Sequence, residues 1–144
     1  MPNVTVSLLP DGPIINLQVG VSQPRRQALE AMGQRVPAPI TVGGLINLGA
    51  SCTVIDRKLL RQLGINPTGQ VVFRSTEHGM VPEKSPQYDV SIAIAGFPQL
   101  LTPELPILEG GFTLPSYQAI IGRDILKLCR VTYDGPNRTI TLLY

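Results

Sequence analysis

One stretch of the chain, residues 45–56, restricts the fold more than any other. It reads LINLGASCTVID, so an apolar segment ends at the small residues Gly49, Ala50 and Ser51, and a β-branched segment follows. Small residues let one backbone segment approach another closely, and a bend here would carry Asn47 out of the sheet. The stretch therefore predicts two strands joined by a tight loop that presents Asn47. Active-site loops are built in this way.

A second stretch, residues 119–126, has a pattern of its own. It reads AIIGRDIL, with an apolar run before Gly122, Arg123 and Asp124 and apolar residues after them. Taken in order, the two stretches resemble the signatures of the retropepsin-like aspartic proteases. These are an apolar pair before Asp-Thr/Ser-Gly-Ala, and later an apolar pair before Gly-Arg-Asn/Asp at the start of a helix. The resemblance extends roughly from residue 40 to the C-terminus, and the earlier residues fit it only loosely.

The chain departs from the first signature at two positions. Asn47 stands where the family has its catalytic Asp, and Leu48 stands where the family has Thr or Ser. In the family this hydroxyl hydrogen-bonds across a dimer axis, whereas a leucine can only pack there. We interpret Asn47 as the catalytic position of either an engineered variant or a naturally degenerate protease. Leu48 fits a loop that tolerates it, a chain that has drifted from catalysis, or a second designed change.

The family's chemistry explains why position 47 matters. Two carboxylates held close together cannot both ionise, so one acts as acid while the other accepts a proton from water. Each protomer of a retropepsin-like dimer supplies one of them. An amide has no titratable proton near neutral pH, and loss of a general base alone costs roughly 100- to 10,000-fold in rate. The chain with Asn47 is therefore expected to be catalytically inactive, while peptide binding could survive.

Composition and patterning predict one all-β domain over residues 1–144. The chain is 43% hydrophobic, enough for one sizeable core but too short for two. The resemblance implies a closed, barrel-like acid-protease lobe with one short C-terminal helix, paired with a second copy in a symmetric homodimer. Strands are expected at residues 4–9 and 15–21 (a hairpin), 71–73, 88–95, and 131–133 with 139–143 (a closing hairpin).

Helices and loops are expected between these strands. Ser22 is expected to cap a helix in an insertion over residues 22–39, Asp56 to cap a helix that ends at Gly64, and Asp124 to cap a helix over residues 124–130. The proline- and glycine-rich segment 97–115 is expected to be loop with short extended pieces, including residues 105–108.

The resemblance implies further site residues. A flap over residues 74–87 would close on bound peptide, with His78, Gly79 and Met80 at its tip, although an ordinary solvated hairpin fits as well. Gly49, Ala50 and Ser51 would contact the substrate beside them. Leu48, Gly122, Arg123 and Asp124 would be structural residues near the site, with an ion pair of Arg123 and Asp124 or an exposed Arg beside a helix cap as alternatives.

Other kinds of function find little support in the sequence. A net charge of +2 is too small for a nucleic-acid footprint, and no apolar run is long enough to cross a bilayer, so we expect a cytoplasmic protein that binds neither. The single histidine argues against a metal site, and no cofactor is implied. Cys52 and Cys129 are expected to be buried, reduced thiols, and neither they nor Ser51 has the surroundings of a nucleophile.

The sequence thus predicts an aspartic endopeptidase of the retropepsin-like type, acting on peptide or protein substrates across a dimer axis and inactive with Asn47. Two alternatives remain open. One is a non-catalytic peptide-binding or dimerisation module that uses the same cleft, and the other is a monomeric β scaffold without a cleft.

Overall fold

The computed structural model describes residues 2–74, 82–95 and 97–144 of the chain. Over these residues the chain is mostly strand, with three short helices. In chain order the elements are β1 Asn3–Leu9, β2 Gly12–Val21, α1 Gln23–Ala31, β3 Ile40–Ile46, β4 Val54–Asp56, α2 Arg57–Gln62, β5 Gly69–Arg74, β6 Pro82–Ile94, β7 Phe97–Gly110, β8 Ala119–Ile121, α3 Arg123–Leu126, β9 Arg130–Asp134 and β10 Thr139–Leu143.

Six of the strands close into a barrel. Following the hydrogen-bonded neighbours gives the order β2, β3, β8, β4, β7, β6 and back to β2. The pairs β3–β8 and β4–β7 are parallel, and the others in the ring are antiparallel. The prediction of an all-β, barrel-like domain is confirmed.

The barrel closes because its strands bury alternate apolar side chains. Leu17, Val19 and Val90 are fully buried, and Ile15, Ile92 and their neighbours pack on them. The rest of the core comes from the other strands and from the helices, chiefly Val42, Ile46, Ile55, Leu60, Leu63, Ile107, Ile121, Ile125, Leu126, Ile140 and Leu142.

The N-terminal strand pairs differently from the expected hairpin. β1 and β2 exist with nearly the predicted bounds, but they pair only at Leu8 with Pro13 and Leu9 with Gly12. Most of β1 pairs with β10, which in turn pairs with β9. The reason is burial, since β10 directs Ile140 and Leu142 into the core and thereby brings its backbone beside β1.

The prediction of a loop over residues 97–115 was wrong for most of residues 97–110, because they form the long strand β7. The extended piece predicted at residues 105–108 lies within this strand, and residues 111–115 lie outside it. Prolines usually interrupt a ladder because they lack an N–H group. Here the pairing with β6 shifts register between Val90 and Ile92, and Pro103 falls in that irregularity. Burial of Ile107 and pairing of this end of the strand with β4 hold the rest of β7 in place.

Two of the predicted helix caps are confirmed, and the third was wrong. The Ser22 side chain accepts a hydrogen bond from the N–H of Arg25 at 3.3 Å, and Asp56 Oδ1 accepts one from the N–H of Lys58 at 3.0 Å. α3 is only four residues long and begins after Gly122. Asp124 lies in its first turn, and its carboxylate accepts hydrogen bonds from Thr53 of the β3–β4 loop.

The predicted flap region contains a hairpin stem. β5 and β6 pair in antiparallel register from Gly69 with Gln87 to Arg74 with Pro82. The predicted tip residues His78, Gly79 and Met80 lie outside the described residues. In the described part of the chain, no helix has the length and apolar character of a membrane span.

Candidate active site

The loop between β3 and β4 holds Asn47 by its backbone and by its side chain. The N–H of Asn47 donates to the carbonyl of Ile121 at 3.0 Å, which ties the end of β3 to β8. The N–H of Ala50 donates back to the carbonyl of Asn47 at 3.2 Å and closes the turn. The N–H of Gly49 donates to Asn47 Oδ1 at 2.8 Å. The side chain is therefore fixed from within its own loop.

The bond from Gly49 also sets the orientation of the Asn47 amide. A backbone N–H can only donate, so the oxygen of the amide must face Gly49 and the nitrogen must take the other side. Nδ2 has no acceptor among the described residues, and it is not buried. This position therefore offers a ligand the two hydrogens of Nδ2 as donors, together with the second lone pair of Oδ1 as an acceptor.

Thr53, Gly122 and Asp124 form a hydrogen-bonded cluster, called the clamp below, at the C-terminal end of the β3–β4 loop. Thr53 is fully buried, and its N–H and its hydroxyl donate to the two oxygens of Asp124 at 2.8 and 2.7 Å. The N–H of Gly122 donates to the Thr53 hydroxyl at 3.2 Å. Bonds to an ionised acceptor are about twice as strong as neutral ones. The two stretches identified in the sequence are thus joined directly, across 71 positions of the chain.

Gly122 and Arg123 also contact the β3–β4 loop, at the place where residues 119–126 pass beside residues 45–56. A Cβ atom on Gly122 would lie 2.5 Å from the carbonyl carbon and oxygen of Cys52, so only glycine fits at this close approach. The N–H of Arg123 donates to the carbonyl of Ala50 at 2.9 Å, and its Nη1 donates to the carbonyl of Leu48 at 3.1 Å. Arg123 therefore supports the loop through its carbonyls.

No family model and no curated protein matches this sequence. Among solved structures, the chain is similar to a retropepsin-like aspartic protease from Rickettsia conorii, with a TM-score of 0.59 and 15% identity over 98% of this chain and 90% of that one. The chain has a retropepsin-like fold. It is also similar to an aspartic proteinase from Irpex lacteus, with a TM-score of 0.50 and 12% identity over 99% of this chain but only 47% of that one.

The retropepsin-like fold brings most of the sequence-predicted positions together. Asn47 through Ser51 form the β3–β4 loop, and residues 122–124 cross it and hold it. The ion pair considered for Arg123 and Asp124 is replaced by two separate contacts, since Arg123 binds Leu48 and Asp124 binds Thr53. The roles assigned to these residues, and to the three predicted flap-tip residues, stay predictions.

Sequence reasoning missed Thr53, which carries the clamp. The available signal was a polar residue directly before the short strand β4, but its partner could not be named without the fold. For Leu48, the structure adds an observation that the sequence does not contain. Its side chain is 52% exposed beside Asn47, so a large apolar group is left uncovered at the edge of the loop.

An apolar cavity of about 440 Å³ adjoins the loop in this retropepsin-like lobe. It lies between the β5–β6 hairpin, β7 and the residues after α3, and its lining includes Cys52, Gln87, Leu105, Leu108 and Leu128. Its volume falls in the range of sites that hold small ligands or side chains. The cavity offers a place for an apolar side chain close to the loop.

Cys52 is unsuited to act as a nucleophile. Burial raises the pKa of its thiol above the ordinary value, with a further increase from the nearby Asp124 carboxylate, so the thiol stays protonated at neutral pH. Both cysteines are free and half buried, not fully buried as expected. Among the described residues, no cluster of His, Cys, Asp and Glu side chains is arranged to hold a metal ion.

Proposed function

We propose that this chain is one half of a symmetric, retropepsin-like peptide-binding dimer that holds an extended peptide at the dimer axis without hydrolysing it. The observation that carries the proposal is the Asn47 side chain, placed on a rigid loop by the N–H of Gly49. An amide at this position cannot take a proton from water, so the site lacks the general base that hydrolysis requires.

The exposure of Leu48 supports a second copy facing this loop. An isolated apolar side chain on a surface is ordinary, but this one adjoins the only position that the resemblance marks as catalytic. The chain also corresponds to 47% of the length of the Irpex lacteus aspartic proteinase. A site that needs two such lobes would be incomplete in one copy, and a twofold pairing of identical surfaces would complete it.

The loop and its surroundings support binding of an extended peptide. Leu48, Gly49 and Ser51 are exposed. The Leu48 carbonyl and the Gly49 N–H already form hydrogen bonds within the chain, so the other backbone groups of these residues would pair with the main chain of a ligand. The neighbouring apolar cavity would accept one of the ligand's side chains. Main-chain hydrogen bonds would supply affinity, and the cavity would supply selectivity.

Aspartic endopeptidase activity with Asp at position 47 is the second candidate function. The hydrogen bond from Gly49 favours it, because a carboxylate oxygen accepts the same bond as the amide oxygen at 2.8 Å. The loop could therefore hold an aspartate in the position that the asparagine occupies.

The proposal is tested by peptide selection. The chain is incubated with a randomised library of N-acetylated decapeptides, and bound peptides are recovered by rapid size exclusion and identified by mass spectrometry. We expect retained peptides of full length on a particle of twice the chain mass. Cleaved peptides, or failure to retain any peptide at concentrations at which the chain is dimeric, would contradict the proposal.

A further inference from the structure

Strand β9 forms one edge of the sheet. It pairs with β10 on one side, and in the described part of the chain no other strand pairs with its second side. Unpaired N–H and C=O groups on an edge can bind another strand, and natural edges are commonly blunted by lysine, proline or a bulge. Residues 130–134 contain neither lysine nor proline, and their register with β10 is unbroken. This edge is therefore open to a partner strand.

The hydrogen bonds of β10 show which groups of β9 face the edge. The N–H of Tyr144, next to β10, donates to the carbonyl of Pro2 at 3.1 Å. Bonded residues alternate along an antiparallel ladder, so the even-numbered residues of β10 bond to β1 and the odd-numbered ones to β9. The odd-numbered residues of β10 lie opposite even-numbered residues of β9. The main-chain N–H and C=O groups of Val131 and Tyr133 therefore point to the open edge.

A second copy of β9 fits this edge best in one twofold register. With Thr132 on the axis of an antiparallel pair, Val131 of each copy is opposite Tyr133 of the other, and their edge-facing groups all hydrogen-bond. The same register places Arg130 opposite Asp134, so two pairs of opposite charge flank the axis. A register with Arg130 or Asp134 on the axis would bring like charges together. The sequence of β9 thus favours one pairing with itself.

The side chains of β9 suit the same register. Tyr133 is 67% exposed, and Val131 is partly buried against the core. Aromatic and β-branched side chains stabilise a sheet when they lie opposite each other. The Asp134 carboxylate accepts hydrogen bonds from the N–H and Nδ2 of Asn137 at 3.1 and 2.8 Å, which lower its pKa. It is therefore ionised at neutral pH, and its oxygens keep lone pairs for an arginine.

We infer that two copies of this chain join by antiparallel pairing of β9, with Val131 opposite Tyr133 and Arg130 opposite Asp134 of the other copy. The inference rests on the dimer of the proposed function, for which it names the surface that joins the two copies. The sheet would continue from β1, β10 and β9 of one copy into β9, β10 and β1 of the other. β9 follows α3, whose first turn holds Asp124 of the clamp, so this surface is close along the chain to the candidate site.

Exchange of charges tests the pairing. Arg130→Asp and Asp134→Arg each place like charges opposite each other in a dimer of identical chains, whereas an equimolar mixture of the two variants restores opposite charges. We expect each variant to raise the dimer Kd at least about tenfold, and the mixture to associate within about threefold of the unmodified chain. Arg26→Asp makes the same change of charge on the exposed side of α1 and should leave the Kd unchanged. Sedimentation velocity over a concentration series measures the Kd, and circular dichroism checks folding.

A second pair of variants tests the main-chain bonds, and it decides the matter if Asp134→Arg fails to fold. Tyr133→Pro removes an N–H that faces the edge without removing a bond to β10, a place where a strand tolerates proline. Tyr133→Ala removes the same side chain but keeps the N–H. Because two hydrogen bonds are lost in each dimer, the Kd of Tyr133→Pro should exceed that of Tyr133→Ala at least about tenfold.

The outcomes separate this inference from the function on which it rests. Unchanged Kd values for Arg130→Asp and Tyr133→Pro, or folded charge variants that associate no better when mixed, would overturn the inference and leave the proposed dimer intact. If Tyr133→Pro loses peptide retention but stays dimeric, the edge binds the peptide and the inference is wrong. A dimer that responds as expected but retains no peptide supports the inference and overturns the proposed function. An unmodified chain that stays monomeric overturns both.

Discussion

Replacing Asn47 with Asp is expected to give this chain peptidase activity. A carboxylate at this position would keep the hydrogen bond from Gly49 and add a group able to accept a proton from water. A positioned general base contributes roughly 100- to 10,000-fold in rate, so cleavage of an unstructured protein should rise from background by at least about 100-fold. Because two close carboxylates share one proton, the rate should fall at both low and high pH.

The controls for this experiment isolate the carboxylate. Asn47→Ala should stay inactive, because it supplies no base. The double variant Asn47→Asp with Leu48→Thr adds the hydroxyl that the resemblance implies. It covers the case in which the Leu48 side chains keep the two loops of the dimer apart. A hydroxyl-containing mimic of the tetrahedral intermediate should inhibit any activity gained. If both Asp variants bind peptide as dimers yet cleave nothing, the endopeptidase candidate is wrong and the binding module remains.

Replacing Asp124 with Ala is expected to destabilise the fold by about 3 kcal/mol, because it leaves two donors of buried Thr53 without an acceptor. For a domain of this size the loss corresponds to a fall of about 10 °C in Tm. Asp124→Asn should cost only about 1 kcal/mol, since its oxygen can still accept from the Thr53 N–H. Urea unfolding followed by circular dichroism measures both changes.

A matched control distinguishes the clamp from a general effect of charge. Glu30→Ala also removes one carboxylate, but Glu30 is exposed on α1, and its loss should change stability by less than about 0.5 kcal/mol. If Asp124→Ala were no more destabilising than Glu30→Ala, the clamp would not hold the loop in solution.

Local signals made much of the fold predictable. The caps of α1 and α2 follow from side chains that bond to residues two or three positions away, so the sequence around Ser22 and Asp56 was sufficient. β7 could not be predicted in this way. Its prolines disfavour a strand locally, and only the register shift against β6 and the burial of Ile107 overcome that preference.

The sequence was sufficient to predict which residues form the candidate site, but not the hydrogen bonds between them. The spacing around Gly49 indicated a loop that presents Asn47, and the resemblance indicated that Gly122 to Asp124 would lie near it. The clamp between Thr53 and Asp124 joins residues 71 positions apart, and the direction of the Asn47 amide depends on one backbone N–H. Such facts depend on the folded backbone, which composition and periodicity do not specify.

In the proposed dimer, two copies of the chain bring their β3–β4 loops face to face, and cross-linking at Leu48 measures whether they do. Leu48→Cys is compared with Met32→Cys, each in a chain with Cys52→Ser and Cys129→Ser. Leu48 and Met32 are similarly exposed, at 52% and 58%, and Met32 lies at the end of α1. After mild oxidation, Leu48→Cys is expected to form a disulfide-linked dimer at least about tenfold faster than Met32→Cys, since paired thiols have a high effective concentration. Equal rates for the two variants would contradict it.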